Sequence, residues 1–119
     1  MILADTSIWV DHFRNADAEL SARLLRQEIV IHSSIVGELA LGSIRNRSAV
    51  LNHLSNLPSV KEAQSSEVLH MIEQRKLFAR GIGYVDAQLI ASCLLDRNIR
   101  LWTKDKRLEG VAKDLSLAI

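Results

Sequence analysis

The residues that could do chemistry in this 119-residue chain are four acids: Asp5, Glu38, Asp86 and Asp105. Two carboxylates about 4 Å apart repel each other by roughly 4 kcal/mol at an effective dielectric constant near 20. If the four acids converge, protons or cations must therefore neutralise their charge. Carboxylate oxygens suit Mg²⁺ or Mn²⁺, and such an ion can lower the pKa of bound water and bind a phosphate. The four acids are therefore candidate ligands of Mg²⁺ or Mn²⁺.

Two of the four acids follow short apolar segments that are predicted to be strands. Asp5 comes directly after residues 2–4, and Asp105 comes two residues after the end of the segment 99–103. Short apolar strands separated by helices indicate a parallel sheet with helices on its faces. Because ligands bind at the carboxyl ends of the strands in such a sheet, we expect both carboxylates at the same sheet edge.

The other two acids lie on the apolar sides of predicted helices. Asp86 stands in the first turn of a helix over residues 83–96, and apolar residues follow it three, four, seven and eight positions later. Glu38 has one apolar residue three positions before it and another three positions after it, in a helix predicted over 33–41. A carboxylate on a buried helix face is costly unless a cation pairs with it, so both positions favour a functional reason.

Each acid also has a plainer structural explanation. Asp5 could cap a helix, and Asp105 could cap a turn that begins at Lys106 and Arg107. Asp86 could pair with a lysine or arginine from elsewhere in the chain, and Glu38 could be partly exposed. No single acid is sufficient to indicate a functional site, but four acids that can converge on one edge of the sheet favour a shared site.

The remaining pattern predicts one α/β domain over residues 1–119. Further strands are predicted at 29–31 and 115–118, with another near Val60. Further helices are predicted to begin within 6–9 and to cover 17–27, 48–57 and 66–80, while the helix over 33–41 has its N-cap at Ser33 or Ser34.

The composition excludes several classes of function. The 15 Lys and Arg residues against 14 Asp and Glu residues give a net charge of +1, which excludes a strongly basic coat and leaves only local basic patches. Cys93 is the only cysteine, so neither an internal disulfide nor a cysteine-based zinc site can form. No apolar run approaches the roughly 18 residues of a membrane span, and the start of the chain lacks a basic signal-peptide region. We therefore expect a cytoplasmic protein without membrane association.

Four segments together have the order and spacing of a known set of motifs: 4–9 (ADTSIW), 36–39 (VGEL), 81–91 (GIGYVDAQLIA) and 101–108 (LWTKDKRL). In these segments the chain resembles the PIN-domain family, and more narrowly the VapC ribonuclease toxins of bacterial type II toxin–antitoxin modules. The resemblance runs from residue 1 to nearly residue 119. One departure is Gln88, which stands where many relatives have His and which affects none of the acids.

The resemblance implies a three-layer α/β/α sandwich around a parallel sheet of four or five strands. It also implies metal-dependent cleavage of RNA that leaves 5′-phosphate and 3′-hydroxyl ends. The metal ligands would be Asp5, Asp86 and Asp105, and Glu38 would complete the site as a further ligand or a proton acceptor. The hydroxyl groups that orient carboxylates or water would come from Thr6, Ser7 and Thr103.

An acidic site that takes an anionic substrate should have basic residues at its border. The candidates for RNA contacts are Lys104, Lys106, Arg107 and Arg80, with Lys76 as a further one. Trp9 and Trp102 are expected in the core or at an interface. The resemblance also implies a homodimer and a VapB-type antitoxin that covers the acidic cleft. It leaves open the RNA target, the number of metal ions and the choice between Mg²⁺ and Mn²⁺.

Other functions remain as alternatives. A phospho-accepting signalling domain would need a pair of acids after the first strand, where this chain has only Asp5. A phosphatase of the haloacid-dehalogenase type needs two Asp separated by one residue, and position 7 is Ser7. A non-enzymatic binding module would keep its function when Asp5 or Asp86 is replaced by Asn. A PIN-domain nuclease outside a toxin–antitoxin module is a further alternative.

Overall fold

A computed structural model describes residues 1–119 and contains three short strands and seven helices. The strands are β1 (Ile2–Ala4), β2 (Ile29–Val30) and β3 (Arg100–Trp102). The helices are α1 (Thr6–Arg14), α2 (Ala18–Leu25), α3 (Ser33–Ala40), α4 (Arg47–Ser55), α5 (Ser65–Gln74), α6 (Tyr84–Leu95) and α7 (Lys106–Asp114). No helix combines the length and the hydropathy that crossing a membrane would require.

The sheet is parallel, with β1 between β2 and β3. Two isolated parallel bridges extend it outward, one between Ile31 and Ser59 and one between Leu101 and Ala118. The sequence predicted four or five strands, including one near Val60 and one at the C-terminus. The structure corrects this number to three, because each outer segment pairs with the sheet through a single bridge.

The central strand is buried on both faces, as an apolar run without alternation predicts. Leu3 and Ala4 in β1 are fully buried, and Leu101 beside them in β3 is almost fully buried. Helix α6 contributes a large set of buried side chains to the same core: Ala87, Leu89, Ile90, Ala91, Ser92 and Cys93. β1 is therefore a firmly packed support for the residue that follows it, Asp5.

Several helix boundaries differ from the prediction, and two of these differences have a clear structural cause. The N-cap of α3 is His32 and not Ser33 or Ser34, because His32 Nδ1 accepts a hydrogen bond from Ser34 N at 3.0 Å. Helix α5 ends at Gln74 instead of residue 80, because Lys76 has a φ of 55°, outside the right-handed helical region.

Helix α7 follows Asp105, where the sequence predicted only a turn. Leu108, Val111 and Ala112 of this segment are buried and recur at helical spacing, so one face of the helix packs on the core. The helix places its N-terminus, and with it Asp105, beside the carboxyl end of β3.

Candidate active site

Asp5 is held at the carboxyl end of β1 by hydrogen bonds to the neighbouring strand β3 and to the first turn of α1. Its backbone N–H donates to Trp102 O in β3 at 3.0 Å, and its side chain is only 5% exposed. The carboxylate oxygen Oδ1 caps α1, because it accepts hydrogen bonds from Ser7 N at 3.0 Å and from Ser7 Oγ at 2.5 Å. Asp5 is thus both buried and fixed in orientation.

Hydroxyl groups connect Asp5 to the end of β3. Thr103 Oγ1 donates to Asp5 Oδ2 at 2.5 Å and accepts from Asp105 N at 3.0 Å. Ser7 Oγ in turn accepts from Lys104 N at 3.0 Å. The sequence predicted that Ser7 and Thr103 orient carboxylates, and in the structure both hydroxyls contact the carboxylate of Asp5.

Asp105 is exposed and caps α7. Its Oδ1 accepts from Arg107 N at 2.9 Å and from Leu108 N at 3.0 Å, while Oδ2 makes no hydrogen bond. Asp105 therefore fits the capping explanation and still keeps one carboxylate oxygen available for a ligand.

Asp86 lies in the first turn of α6 and is half-buried. Its Oδ2 accepts from Gly83 N at 3.0 Å, whereas Oδ1 makes no hydrogen bond. Burial raises the pKa of the Asp86 carboxyl above its ordinary value, and the Gly83 N–H partly opposes this rise. Three nearby negative charges raise the same pKa further, those of Asp105, Asp5 and Glu38. Asp86 is thus close enough to each of the other three predicted acids to be affected by its charge.

Glu38 reaches the cluster from α3, but it does not lie on a buried stripe. Its side chain is exposed, and Leu41, the apolar residue that suggested burial, is 90% exposed just beyond the end of α3. The prediction of a buried Glu38 is therefore wrong. Thr6 Oγ1 donates to Glu38 Oε1 at 3.2 Å, and this bond connects α3 to the first residue of α1.

None of the four acids forms an ion pair, although several other acids of the chain do. For three of them the negative charge is instead opposed by backbone groups at helix N-termini. Asp5 and Asp105 are the N-caps of α1 and α7, and Asp86 lies in the first turn of α6. Helix N-termini favour negative charge by about 0.3–1 kcal/mol each, which is too little to offset four converging carboxylates.

The chemistry of the four acids fits a divalent cation. Each of the four is a carboxylate without a basic partner, and oxygen ligands of this kind are those that Mg²⁺ and Mn²⁺ prefer. The structure contains no group of three His, Cys, Asp or Glu side chains that is already arranged to hold one ion. The free oxygens of Asp86 and Asp105 would therefore have to approach Asp5 when an ion binds.

Two of the predicted RNA-contacting cations are already bound to acids. Lys104 Nζ lies 2.8 Å from Asp11 Oδ2, and Arg80 forms an ion pair with Asp114 at 2.7 Å. Lys106 and Arg107 are exposed and have no acidic partner. The side chain of Arg107 lies directly over Gly81, so close that a Cβ atom at position 81 would come within 2.7 Å of Arg107 Cδ.

A groove of about 740 Å³ leads away from the cluster between α1 and α3. Thr6 and Glu38 line one part of it, and Arg14 and Arg45, which have no acidic partner, line another. Neither arginine was predicted from the sequence as a site residue. Arg14 stands eight residues after Thr6 on the same face of α1, so helical spacing could have indicated it. Arg45 lies in the loop after α3, and no pattern indicated it.

Comparisons with known proteins identify a family and two similar proteins. The sequence profile of the PIN domain matches residues 2–114. The chain is 44% identical over 119 residues to ribonuclease VapC32 of Mycobacterium tuberculosis strain CDC 1551 / Oshkosh, and this alignment covers all of the chain and 96% of the relative. Ribonuclease VapC32 of strain ATCC 25618 / H37Rv matches with the same identity and coverage.

Proposed function

The chain belongs to the PIN-domain family, and from this membership we propose that it is a metal-dependent endoribonuclease that acts as the toxin of a VapBC-type toxin–antitoxin module. The structural observation that carries the proposal is that Asp86 lies close enough to Asp5, Glu38 and Asp105 for their charges to raise its pKa, while none of the four acids has a basic partner. The similarity to a ribonuclease over the full length of the chain supports RNA as the substrate.

In this proposal the metal ion, Mg²⁺ or Mn²⁺, is held by Asp5, Asp86 and Asp105. When bound, such an ion lowers the pKa of a water molecule and stabilises negative charge on the phosphoryl oxygens. Ser7 and Thr103 keep the Asp5 carboxylate in one orientation, so the carboxylate does not have to reorient during the reaction. Glu38 Oε2 makes no hydrogen bond and can accept the proton of the attacking water.

The groove between α1 and α3 gives the RNA strand a path to the cluster. Arg14 and Arg45 bind phosphates of the strand in this groove, while Glu38 and Thr6 lie where the groove meets the acids. This arrangement resolves the conflict between an acidic site and an anionic substrate, because the cations are placed along the strand and the acids face only the cleaved phosphate.

The biological role in this proposal is inhibition of translation and growth in the cytoplasm. A VapB-type antitoxin neutralises the activity by covering the acidic cleft, and the toxin forms a homodimer. The name of the relative supports this role over that of a PIN-domain nuclease outside a toxin–antitoxin module. Growth inhibition on expression, and its relief by the protein encoded next to this gene, distinguishes the two roles.

The proposal is tested by replacing Asp5 with Asn and measuring the cleavage of RNA. Asp5→Asn should reduce cleavage at least a hundredfold (about 10²-fold per lost charge-stabilising group) and abolish growth inhibition. Glu73→Gln, which changes an exposed acid on α5 away from the cluster, should leave both unchanged.

Sequencing of the RNA ends after brief expression checks the chemistry. The wild-type chain should produce 5′-phosphate and 3′-hydroxyl ends that are absent with Asp5→Asn. Products with 2′,3′-cyclic phosphates would contradict metal-assisted hydrolysis, because they require attack by the 2′-hydroxyl.

A further inference from the structure

Two aromatic side chains are exposed in a protein that has only five: 2 Trp, 1 Tyr and 2 Phe. Phe78 is 55% exposed and Tyr84 is 45% exposed. Trp9 is buried, and the ring of Trp102 is covered by the Arg23 guanidinium, whose centre lies 5.7 Å from the ring centroid. Phe78 and Tyr84 are thus the aromatic rings most available to a ligand.

Both rings line one small cleft at the N-terminal end of α6. The cleft has a volume of about 210 Å³, and Gly83 is also part of its wall. The N–H of Gly83 donates to Asp86 Oδ2 at 3.0 Å, so Gly83 lines the cleft and also contacts the Asp86 carboxylate. The two rings are therefore connected to one of the four acids, Asp86, through Gly83.

The segment that carries Phe78 is held in an unusual backbone conformation. Between α5 and α6, Lys76 has a φ of 55° and Ala79 has a φ of 59°, both in the left-handed region. Such residues cost of order 1 kcal/mol or more and persist only where the surroundings fix them. Leu77 is 3% exposed and anchors the segment, while Phe78 beside it faces solvent. The fold thus maintains an exposed ring at this position against the usual preference for burial.

Cations alternate with the aromatic residues along this segment. Residues 75–84 contain no acid and include Arg75 and Lys76 as well as Arg80, which is paired with Asp114. Arg107 adds a guanidinium without an acidic partner over Gly81. A surface that combines exposed rings with positive charge is typical of proteins that bind single-stranded nucleic acid, because bases stack on the rings and cations bind the backbone.

We propose that Phe78 and Tyr84 stack unpaired bases of the RNA strand whose phosphate enters the acidic cluster, and that Arg107 binds the backbone of the same strand. This inference rests on the proposed ribonuclease function and adds which side chains of this chain contact the bases and the backbone of the strand. The two rings are binding residues, and they take no part in the bond-breaking step.

The test measures the binding of short fluorescent oligoribonucleotides in EDTA, together with kcat and KM for RNA cleavage. Phe78→Ala and Tyr84→Ala should each weaken binding of the single strand at least about fivefold and raise KM, with little change in kcat. Phe78→Tyr and Tyr84→Phe keep a ring and should bind like the wild-type chain. Leu25→Ala, which truncates a side chain that is 86% exposed on α2, is the matched control and should change nothing.

Three results would overturn the inference. Unchanged single-strand affinity in both alanine variants would show that the rings do not stack bases. Equal weakening of single-strand and duplex binding would show that the contact does not depend on unpaired bases. Loss of self-association in the alanine variants, without loss of oligonucleotide affinity, would assign the rings to a protein interface. If the wild-type chain cleaves no RNA, the proposed function fails, but the affinity comparison still decides whether the rings bind bases.

Discussion

Thr103 and Asp5 are 98 residues apart in the sequence and form a hydrogen bond of 2.5 Å between Thr103 Oγ1 and Asp5 Oδ2. Both side chains are buried, and Thr103 Oγ1 also accepts from the backbone N–H of Asp105. One hydroxyl therefore fixes the carboxylate at the end of β1 relative to the loop that follows β3. The geometry of the site depends on how these two strands are aligned.

Replacing Thr103 with Val should show how much RNA cleavage depends on the orientation of Asp5 by the Thr103 hydroxyl, with the shape of the side chain kept. Val keeps the shape of the side chain but removes the hydroxyl, so Asp5 loses a donor and Asp105 N loses an acceptor. We expect RNA cleavage to fall about 10–100-fold and the free energy of unfolding to fall by about 1–3 kcal/mol. Thr103→Ser, which restores the hydroxyl, should recover most of the cleavage rate; equal losses in the two variants would contradict the orienting role.

Metal binding should stabilise the protein, and Asp86 should be needed for this effect. An ion that binds only the folded chain adds about 2.7 kcal/mol at a concentration one hundred times its Kd, which raises Tm by several degrees. In EDTA, Asp86→Asn should have a higher Tm than the wild-type chain, because the raised pKa of Asp86 shows that its charged form is disfavoured in the folded state. Asn can still accept from Gly83 N, so the helix cap is kept.

Thermal unfolding with and without Mn²⁺ checks both parts of this prediction. The metal-induced rise in Tm should be absent in Asp86→Asn and present in the control Glu73→Gln. A rise of the same size in all three proteins would place the ion elsewhere.

Arg14 and Arg45 in the groove should affect the binding of RNA and not the rate of the cleavage step. Arg14→Ala and Arg45→Ala should raise KM for RNA cleavage by about tenfold and make it less dependent on salt, because each removes a phosphate contact. The value of kcat should stay within about twofold of wild type. Arg97→Ala, at an exposed position after α6 and before β3, is the control; a KM effect of equal size there would show that only net charge matters.

Acid should destabilise the fold through His32. Its Nδ1 accepts the α3 cap bond, and its Nε2 lies 3.6 Å from Glu62 Oε1, so the neutral ring fits the site. Burial lowers the pKa of His32 below its usual value, although the Glu62 charge opposes this. The unfolded chain therefore takes up the proton first, and the contribution of His32 to stability is complete above about pH 6.5 and declines as the pH falls below it, by at most about 1.4 kcal/mol per pH unit.

Denaturant unfolding at pH 7.5, 6.5 and 5.5 measures this dependence. His32→Asn keeps a good N-cap residue and has no titrating ring, so its stability should fall less between these pH values than that of the wild-type chain. His53→Asn, at an exposed position on α4, should retain the wild-type slope. An unchanged slope in His32→Asn would assign the acid sensitivity to other groups.

The sequence was sufficient to predict the α/β class and the family, because these depend on local patterns such as those around Ile2–Ala4 and around Asp86. It could not show that Glu38 is exposed, since Leu41, which suggested a buried stripe, lies beyond the end of α3. It also could not show that α5 ends early. Leu77 and Phe78 continue the helical spacing, but the chain leaves the helix at Lys76 and directs the two side chains to opposite environments.

Tertiary contacts determine which basic residues are paired with acids and which line the groove. Lys104 follows the end of β3, which favours a contact with the substrate, yet Asp11 and Asp17 from other segments engage its ammonium group. The groove that contains Arg14 and Arg45 forms only when α1 packs beside α3. No short-range pattern indicates either relationship, because each depends on residues that are distant along the chain.

Asp5, Asp86 and Asp105 are proposed metal ligands, and they also accept hydrogen bonds at helix N-termini. This second role limits which inactive variants of the protein can accumulate in a cell. Asn at position 5, 86 or 105 removes the negative charge but leaves an oxygen for the backbone N–H groups that Asp5, Asp86 and Asp105 now satisfy. An aliphatic residue would also leave a helix end unsatisfied, at a cost of about 0.5–2 kcal/mol. A loss of that size exposes a marginally stable chain to proteases. Inactive variants that still accumulate should therefore carry Asn at these positions.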